Sequence, residues 1–272
     1  RSSDLFCLHR ESLLGPKRAW TSTMDRYQLY EVSVQDPATL LAFLLRLHGG
    51  DPRVLAEDCS GTAALARCFA DSHPERRALA LDLDAEALRR AAHPRVQCLQ
   101  ADLRTQPAMP ACDLIHLGNF SVGYLHTRAE LIAYLRWTRK RLAPTGVFTL
   151  DTYGGALAYQ LGANERRTRL ADGSLLVSTL ERVHADPWTA RVVDHLHFTR
   201  SLAGATIEQL TQAFEYHWRL WTPMELKEAL QECGFAEMVV HTQLDQPWRP
   251  ASDSIDDSEW VALLAARGHA PV

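Results

Sequence analysis

Three acidic residues close three successive apolar runs in the first half of this 272-residue chain. Glu57 follows Val54-Leu55-Ala56, Asp82 follows Ala78-Leu79-Ala80-Leu81, and Asp102 follows the stretch Arg95 to Leu99 and Gln100-Ala101. Between the first two runs lies a turn of small residues, Asp58-Cys59-Ser60-Gly61-Thr62-Ala63, which opens a helix. A strand, a small-residue turn and a helix N-terminus form a nucleotide-type binding corner, because backbone N–H groups point outward and little side chain blocks the approach. Asp82, about twenty residues after the turn, stands where an α/β nucleotide binder places the carboxylate that grips a ribose. Its paired oxygens can accept from two hydroxyls.

These residues need a framework of parallel strands and covering helices, and the patterning supplies one. Asp36-Pro37 reads as an N-cap and first helical residue, Leu40 to Leu47 as an apolar helix face, and Gly49-Gly50 as its end. Asp84 to Arg90 opens a helix with an acidic first turn. Asp113-Leu114-Ile115-His116-Leu117 is a short apolar run bounded by turns, as buried parallel strands are. Arg128 to Leu142 has a helical apolar period, Ala143-Pro144-Thr145-Gly146 stops it, and Val147 to Leu150 is a fifth strand ending in Asp151. Thr222-Pro223 with Glu225 is a capping box before a helix that ends at Gly234, and Phe235 to Val240 is a sixth strand. From about Gly173 to His217 the period changes to two, which predicts three antiparallel strands inserted after the fifth strand. Gln246 to Asp257 reads as a polar loop.

The order of these elements and acidic tips resembles the class I S-adenosylmethionine-dependent methyltransferase family. That family's first motif usually reads acid-x-Gly-x-Gly-x-Gly; here Glu57-Asp58-Cys59-Ser60-Gly61-Thr62-Ala63 keeps only the middle glycine. Cys59 and Ala63 are small enough for close backbone approach, but a positive φ at Cys59 would be strained. The resemblance implies an α/β fold: a doubly wound, seven-stranded, mostly parallel sheet of order 3-2-1-4-5-7-6 with the last strand antiparallel. It makes Trp260 to Arg267 that last strand, although alanine and leucine content alone favours a helix there. The domain spans 24–272, with an antiparallel β insertion at 165–217 expected to stand over the strand C-termini as a substrate cover.

The same resemblance implies S-adenosyl-L-methionine as cofactor and methyl transfer by in-line displacement. Glu57 would neutralise the cofactor ammonium, Cys59, Gly61 and Thr62 would line the turn, and Asp82 would hold the ribose. Leu83 and Leu103 would flank the adenine, and Asp102 would take its amino N–H. The loop Gly118 to Tyr124 would close over the transferred methyl, with Asn119 on the cofactor side and Phe120 and Tyr124 on the substrate side. Tyr27 and Tyr30, three apart on a leading helix, and Trp218 complete the substrate candidates; the two tyrosines read equally well as core packing. Asp151, His126 and His217 are candidate bases, none marked out by sequence. A different transferase using the same cofactor site, or an inactive S-adenosylmethionine-binding protein, are the alternatives. An aminopropyl transferase is disfavoured because Asn119 stands where such relatives carry an acidic residue.

Composition narrows the partners. A net charge of −4 gives no electrostatic case for nucleic acid, and the aromatic residues around the insertion favour a small-molecule acceptor. No apolar run approaches the roughly 18 residues of a membrane span. Six scattered cysteines without a paired spacing read as reduced thiols of a cytoplasmic protein. His195-x-His197 puts two imidazoles on one strand face, but no carboxylate or cysteine stands at a recognised ligand spacing, so no metal is expected and the histidines read as polar face residues. Residues 1–23 lack a period and read as a poorly ordered arm, with Met24 as an expected native start.

Overall fold

The computed structural model describes residues 23–242, 249–250 and 258–268. The expected arm at 1–22 and most of the polar loop 246–257 lie outside these residues. The chain divides into two units: Asp36–Ala158 with Trp218–Val272, and Arg1–Gln35 with Tyr159–His217.

The larger unit is the doubly wound sheet. Its strands are β1 (Val54–Asp58), β2 (Arg77–Asp82), β3 (Val96–Gln100), β4 (Cys112–Leu117) and β5 (Leu142–Gly154), which are mutually parallel. Helices α2 (Pro37–His48), α3 (Ala64–Asp71), α4 (Ala85–Arg89) and α5 (Arg128–Arg141) connect or flank them. The late strand 260–267 lies antiparallel between β5 and the strand Ala236–Thr242, which follows the helix Pro223–Glu232. The spatial order is the expected one, extended by a two-residue edge strand at Arg249–Pro250 that pairs with His241 and Thr242. Residues 262–266 are buried with a strand on either side, so their alanines and leucines answer to packing on both faces rather than to helix propensity.

Local capping follows the sequence. Asp36 accepts from Thr39 N–H at the start of α2, and Gly49 ends it at φ 75°. Thr222 and Glu225 form the expected reciprocal capping box, and Thr127 with Glu130 forms another at α5 that the sequence reading did not single out. Two apolar cores result. One gathers Leu41, Leu44, Leu65 and Phe69 of α2 and α3 on one side of the sheet. The other gathers Leu131, Tyr134, Leu135, Phe148, Leu226 and Leu230 from α5, β5 and the later helix.

The smaller unit is a four-stranded antiparallel sheet: β6 (Gly162–Arg169), β7 (Leu175–Asp186), β8 (Arg191–Leu202) and β9 (Ala205–Arg219), in that order. In chain order the remaining elements are α6 (Pro223–Glu232), β10 (Ala236–Thr242), β11 (Arg249–Pro250) and β12 (Trp260–Arg267). Three strands were expected in the insertion and four form. The extra strand, β6, is an edge with almost no buried residue, so it carries no apolar alternation for sequence reading to detect. Helix α1 (Arg26–Val34) belongs with this sheet. Its Leu29 is fully buried with Leu176, Leu196 and Phe198, and the Tyr27 and Tyr30 rings lie 5.7 and 5.3 Å from Phe214. Arg26 caps the group, 4.6 Å above the Tyr27 ring.

At the tip of β1 the fully buried Asp58 accepts from the Tyr134 hydroxyl (2.7 Å) and pairs with the equally buried Arg141, whose guanidinium lies 3.7 Å over the Trp137 ring. A buried charge left without its partner costs about 3–5 kcal/mol. Arg141→Met is therefore expected to lower unfolding stability by about that amount, and the double variant Asp58→Asn/Arg141→Met to recover part of it. Equal loss in the single and double variants, measured by denaturant titration, would show that the pair is not the source.

Candidate functional site

Sheet order reverses between β1 and β4, so the loops leaving their C-terminal ends diverge and open a crevice at the switch point. The turn from β1 to α3 forms one wall. Cys59, Gly61 and Ala63 have φ values of 53°, 54° and 58°, so all three glycine positions of the motif need the left-handed region. Cys59 and Ala63 hold it at a penalty of about 1–2 kcal/mol each relative to unstrained backbone. At Gly61 the need is conformational, since an added Cβ would meet nothing within 4 Å; the turn faces open space there. The Ser60 hydroxyl beside it is buried and has no hydrogen-bond partner among the described residues.

Asp82 ties two loops together. Its Oδ2 accepts from Gly61 N–H (2.6 Å) and its Oδ1 from Asp84 N–H (2.8 Å). Burial raises its pKa, and the backbone N–H groups pull the other way. Leu83, next in sequence, is 63% exposed. Asp102 closes the third loop, where Arg104 grips its carboxylate through Nε (3.0 Å) and a terminal guanidinium nitrogen (2.6 Å) and holds its pKa down. Leu103 turns into the core instead. The Cys59 thiol is pushed up by burial first, then by the Asp82 and Asp58 carboxylates and more weakly by Asp102; Ala101 N–H donates to the Asp82 carbonyl at 3.0 Å, which sets the third loop beside the second. The Tyr124 hydroxyl is also pushed up by burial, and Cys59 and Asp82 act on it in turn. A thiol in that setting is a filler without nucleophilic character.

Glu57 is placed differently from Asp82 and Asp102. It is buried beneath the turn, and Oε2 accepts from Ala66 N–H at 2.7 Å. There it clamps the first turn of α3, and burial pushes its pKa up to about 8. Thr62 is buried beside it.

The loop after β4 forms the opposite wall. Asn119 and Phe120 both have positive φ (54° and 59°), and their consecutive N–H groups donate to Asp151 at 3.1 and 2.7 Å. Such a backbone concavity suits an anion, and Asp151 serves it from the neighbouring strand. Burial raises the Asp151 pKa to about 7. The Phe120 ring lies 4.7 Å from Tyr153 and 6.0 Å from Trp218; Tyr153 and Tyr124 lie 5.9 and 6.2 Å from the same indole. Gly123 allows this approach, since a Cβ there would fall 2.8 Å from the Trp218 side chain. Tyr153 and the buried Ser121, which acts on the Cys59 thiol against the effect of burial, were not singled out from sequence. Both follow from adjacency in space, which no spacing in the chain reports.

His126 is half-buried ahead of α5, and its carbonyl accepts from Arg219 at 3.2 Å. His217, Tyr27 and Tyr30 belong to the smaller unit, where His217 is hydrogen-bonded to Glu215 at 2.5 Å.

No family model matches the chain, and no curated protein matches it. Solved structures do. The amino pentose methyltransferase CalS10 from Micromonospora echinaspora, solved with S-adenosylmethionine bound, superposes with a TM-score of 0.67 at 18% identity, covering 92% of this chain and all of its own. The sugar N-methyltransferase KedS8 from a Streptoalloteichus species gives 0.66 at 16% identity, covering 95% and 99%. An S-adenosylmethionine-dependent methyltransferase from Clostridium acetobutylicum gives 0.63 at 16% identity, covering 88% and 96%. The chain thus has the fold of the S-adenosylmethionine-dependent methyltransferases. No helix among the described residues is long and apolar enough to cross a membrane.

The buried carboxyls set a pH dependence. Glu57 and Asp151, with pKa values near 8 and 7, bind protons more tightly folded than unfolded. Their contribution to stability is full below the ordinary carboxyl range and is lost as pH rises through those values. Buried His116, pushed down to about 4, and the lowered His48 and His241 act oppositely, but only below about pH 6.5, where the unfolded imidazole charges. The melting temperature is expected to fall between roughly pH 6.5 and 8.5, and Glu57→Gln to flatten the fall. A rise over that interval in calorimetry would contradict the assignment.

Proposed function

We propose that the chain is an S-adenosylmethionine-dependent methyltransferase acting on a small-molecule acceptor, with an amine nitrogen as the attacking atom. The observation that carries this is a methyltransferase fold in which Ser60 N–H donates to Leu81, Gly61 N–H to the Asp82 carboxylate and Ala101 N–H to the Asp82 carbonyl, so that the loops bearing Gly61, Asp82 and Asp102 follow three adjacent strands side by side. The site suits the cofactor. It has an open turn at Gly61, a buried partnerless Ser60 hydroxyl, an exposed Leu83 and carboxylate oxygens with lone pairs beyond those already used. S-adenosylmethionine, when bound, supplies an electrophilic methyl group on a sulfonium with a neutral leaving group.

The residues divide the remaining work. Asp82 accepts from the ribose hydroxyls, Leu83 covers an adenine face and Asp102 takes the amino N–H. Gly61 and Thr62 offer the turn backbone, with Cys59 behind it, and Asn119 approaches from the opposite loop. Glu57 holds α3 so that the turn keeps its shape. Phe120, Tyr124, Tyr153 and Trp218 form an aromatic wall, and aromatic faces attract cations such as a sulfonium or a protonated amine. Orienting two reactants can supply up to about 7–11 kcal/mol of the barrier. An amine brings its own lone pair once its ammonium proton has left to water, and the N-methyl ammonium formed on transfer can lose a proton to water after release, which fits a loop whose carboxyl, Asp151, is occupied in holding Asn119 and Phe120. The amino-sugar and glycopeptide N-methyltransferases among the similar structures support the same acceptor chemistry.

Asp82→Asn removes the charge from the ribose contact and keeps the side-chain shape. A charge-assisted hydrogen bond contributes about 1.5–3 kcal/mol, so S-adenosylmethionine affinity is expected to fall by roughly tenfold to a hundredfold. Calorimetric titration with an unchanged dissociation constant in a well-folded variant would remove Asp82 from the site. Methyl transfer from labelled S-adenosylmethionine to a panel of amino sugars tests the acceptor; turnover only on hydroxyl acceptors would overturn the amine.

A further inference from the structure

The inserted sheet has one face turned to α1 and one that the methyl-transfer reading does not use. Along β8 the even positions Val192, Asp194, Leu196, Phe198 and Arg200 are buried, so the odd positions, His195 and His197 among them, share the opposite face. The antiparallel register sets Glu181 of β7 directly across from His195 and Thr179 across from His197. Residues opposite and diagonal across such a pair stand close enough for their side chains to meet. They do: one ligand atom from each of Glu181, His195 and His197 lies within 4.8 Å of the other two.

We propose that Glu181, His195 and His197 form a binding site for a divalent transition-metal ion of the zinc class. Two imidazoles and one carboxylate are a donor set that Zn²⁺ takes, leaving a fourth tetrahedral position. The histidine pair, two apart on one strand, is completed by a carboxylate from the next strand. That companion has no fixed sequence spacing, so only the register reveals it. Contacts at the cluster suit a shared centre. His197 Nε2 is buried and lies 3.2 Å from Glu181 Oε2 without the alignment of a hydrogen bond. Glu215 Oε2 of β9 lies 3.2 Å from His195 Nε2, a second carboxylate within reach of the open position. His217 in turn is bonded to Glu215. The Gln212 backbone N–H donates to His197 Nδ1 (3.1 Å) and its side-chain amide nitrogen lies 3.0 Å from both His195 ring nitrogens. The Gln212 contact favours a proton on His197 Nε2 in the metal-free state. Binding through Nε2 therefore exchanges that tautomer for the one protonated on Nδ1 and re-seats the ring away from the Gln212 N–H.

The test uses the full chain without an affinity tag, stripped with chelator and titrated with ZnCl₂ in a calorimeter, and with CoCl₂ in a visible spectrometer. One equivalent of Zn²⁺ is expected to bind and to raise the melting temperature. Co²⁺ is expected to give the intense visible bands of a four-coordinate site. His195→Ala, His197→Ala and Glu181→Gln are each expected to weaken binding by at least tenfold, while His184→Ala on the same strand face region leaves it unchanged. Absence of stoichiometric binding in the wild-type chain would overturn the proposal. So would equal affinity in wild type and the folded Glu181→Gln and His197→Ala variants, or a six-coordinate cobalt spectrum of the hydrated ion. S-adenosylmethionine affinity, measured in parallel, reports on the methyltransferase reading separately.

Discussion

Two adjacent carboxylates at the end of β1, both buried, hold the larger unit together from opposite directions. Successive strand residues point to opposite faces of a sheet. Glu57 therefore meets the first turn of α3, on the side of the sheet where Leu41, Leu65 and Phe69 are packed. Asp58 meets Tyr134 and Arg141 of α5, on the side of Leu131, Phe148 and Leu226. Burying a carboxylate is unfavourable unless donors meet it. Here the donors are a helix terminus in one case and a guanidinium and a phenol in the other. Both helix layers are thereby registered against the same strand tip, and the turn that follows inherits its position from them.

That placement explains how the turn tolerates its eroded glycines. Left-handed backbone at Cys59 and Ala63 persists because the surroundings over-determine it. Ser60 N–H donates to Leu81 of the next strand at 2.9 Å, Ala63 N–H to Ser60 at 2.8 Å, and Gly61 N–H to the Asp82 carboxylate. The strain is fixed by hydrogen bonds on either side of each strained residue. The loop after β4 repeats the device: two left-handed residues without a glycine between them, pinned by one carboxylate from β5. Both walls of the crevice thus consist of strained backbone held by Asp82 and Asp151.

Local periodicity located the strands of the larger sheet, but their order and the identity of β12 came through the resemblance to a known family; at β12 alanine and leucine content pointed to a helix, and burial on both faces outweighs it. Periodicity located the acidic strand tips because those follow apolar runs, a one-dimensional signal. It did not separate the roles of Glu57 and Asp82, since both end strands and only the third dimension turns one inward and leaves the other at the turn surface. Edge strand β6, with charged residues on both faces, left no period to read. The aromatic partner Tyr153 and the carboxylate Glu181 were invisible for a related reason: each acquires its neighbours by strand pairing across distant segments.

Geometry at the crevice also bears on how little general acid–base chemistry the site needs. Asp151 has a pKa near 7 and stands at the loop, which would suit a base, yet two backbone N–H groups occupy its oxygens. The same loop is closed by Ser121 N–H on the Gly118 carbonyl (3.1 Å) and Gly123 N–H on the Phe120 carbonyl (2.9 Å), so Asp151 is one anchor of a turn held at several points. Beside that carboxyl the rings of Phe120, Tyr124 and Tyr153 pack edge to face around the single indole of Trp218, which makes this wall rigid. For the amine acceptor proposed above, the ammonium proton can leave to water before attack, so Asp151 can keep both backbone contacts throughout.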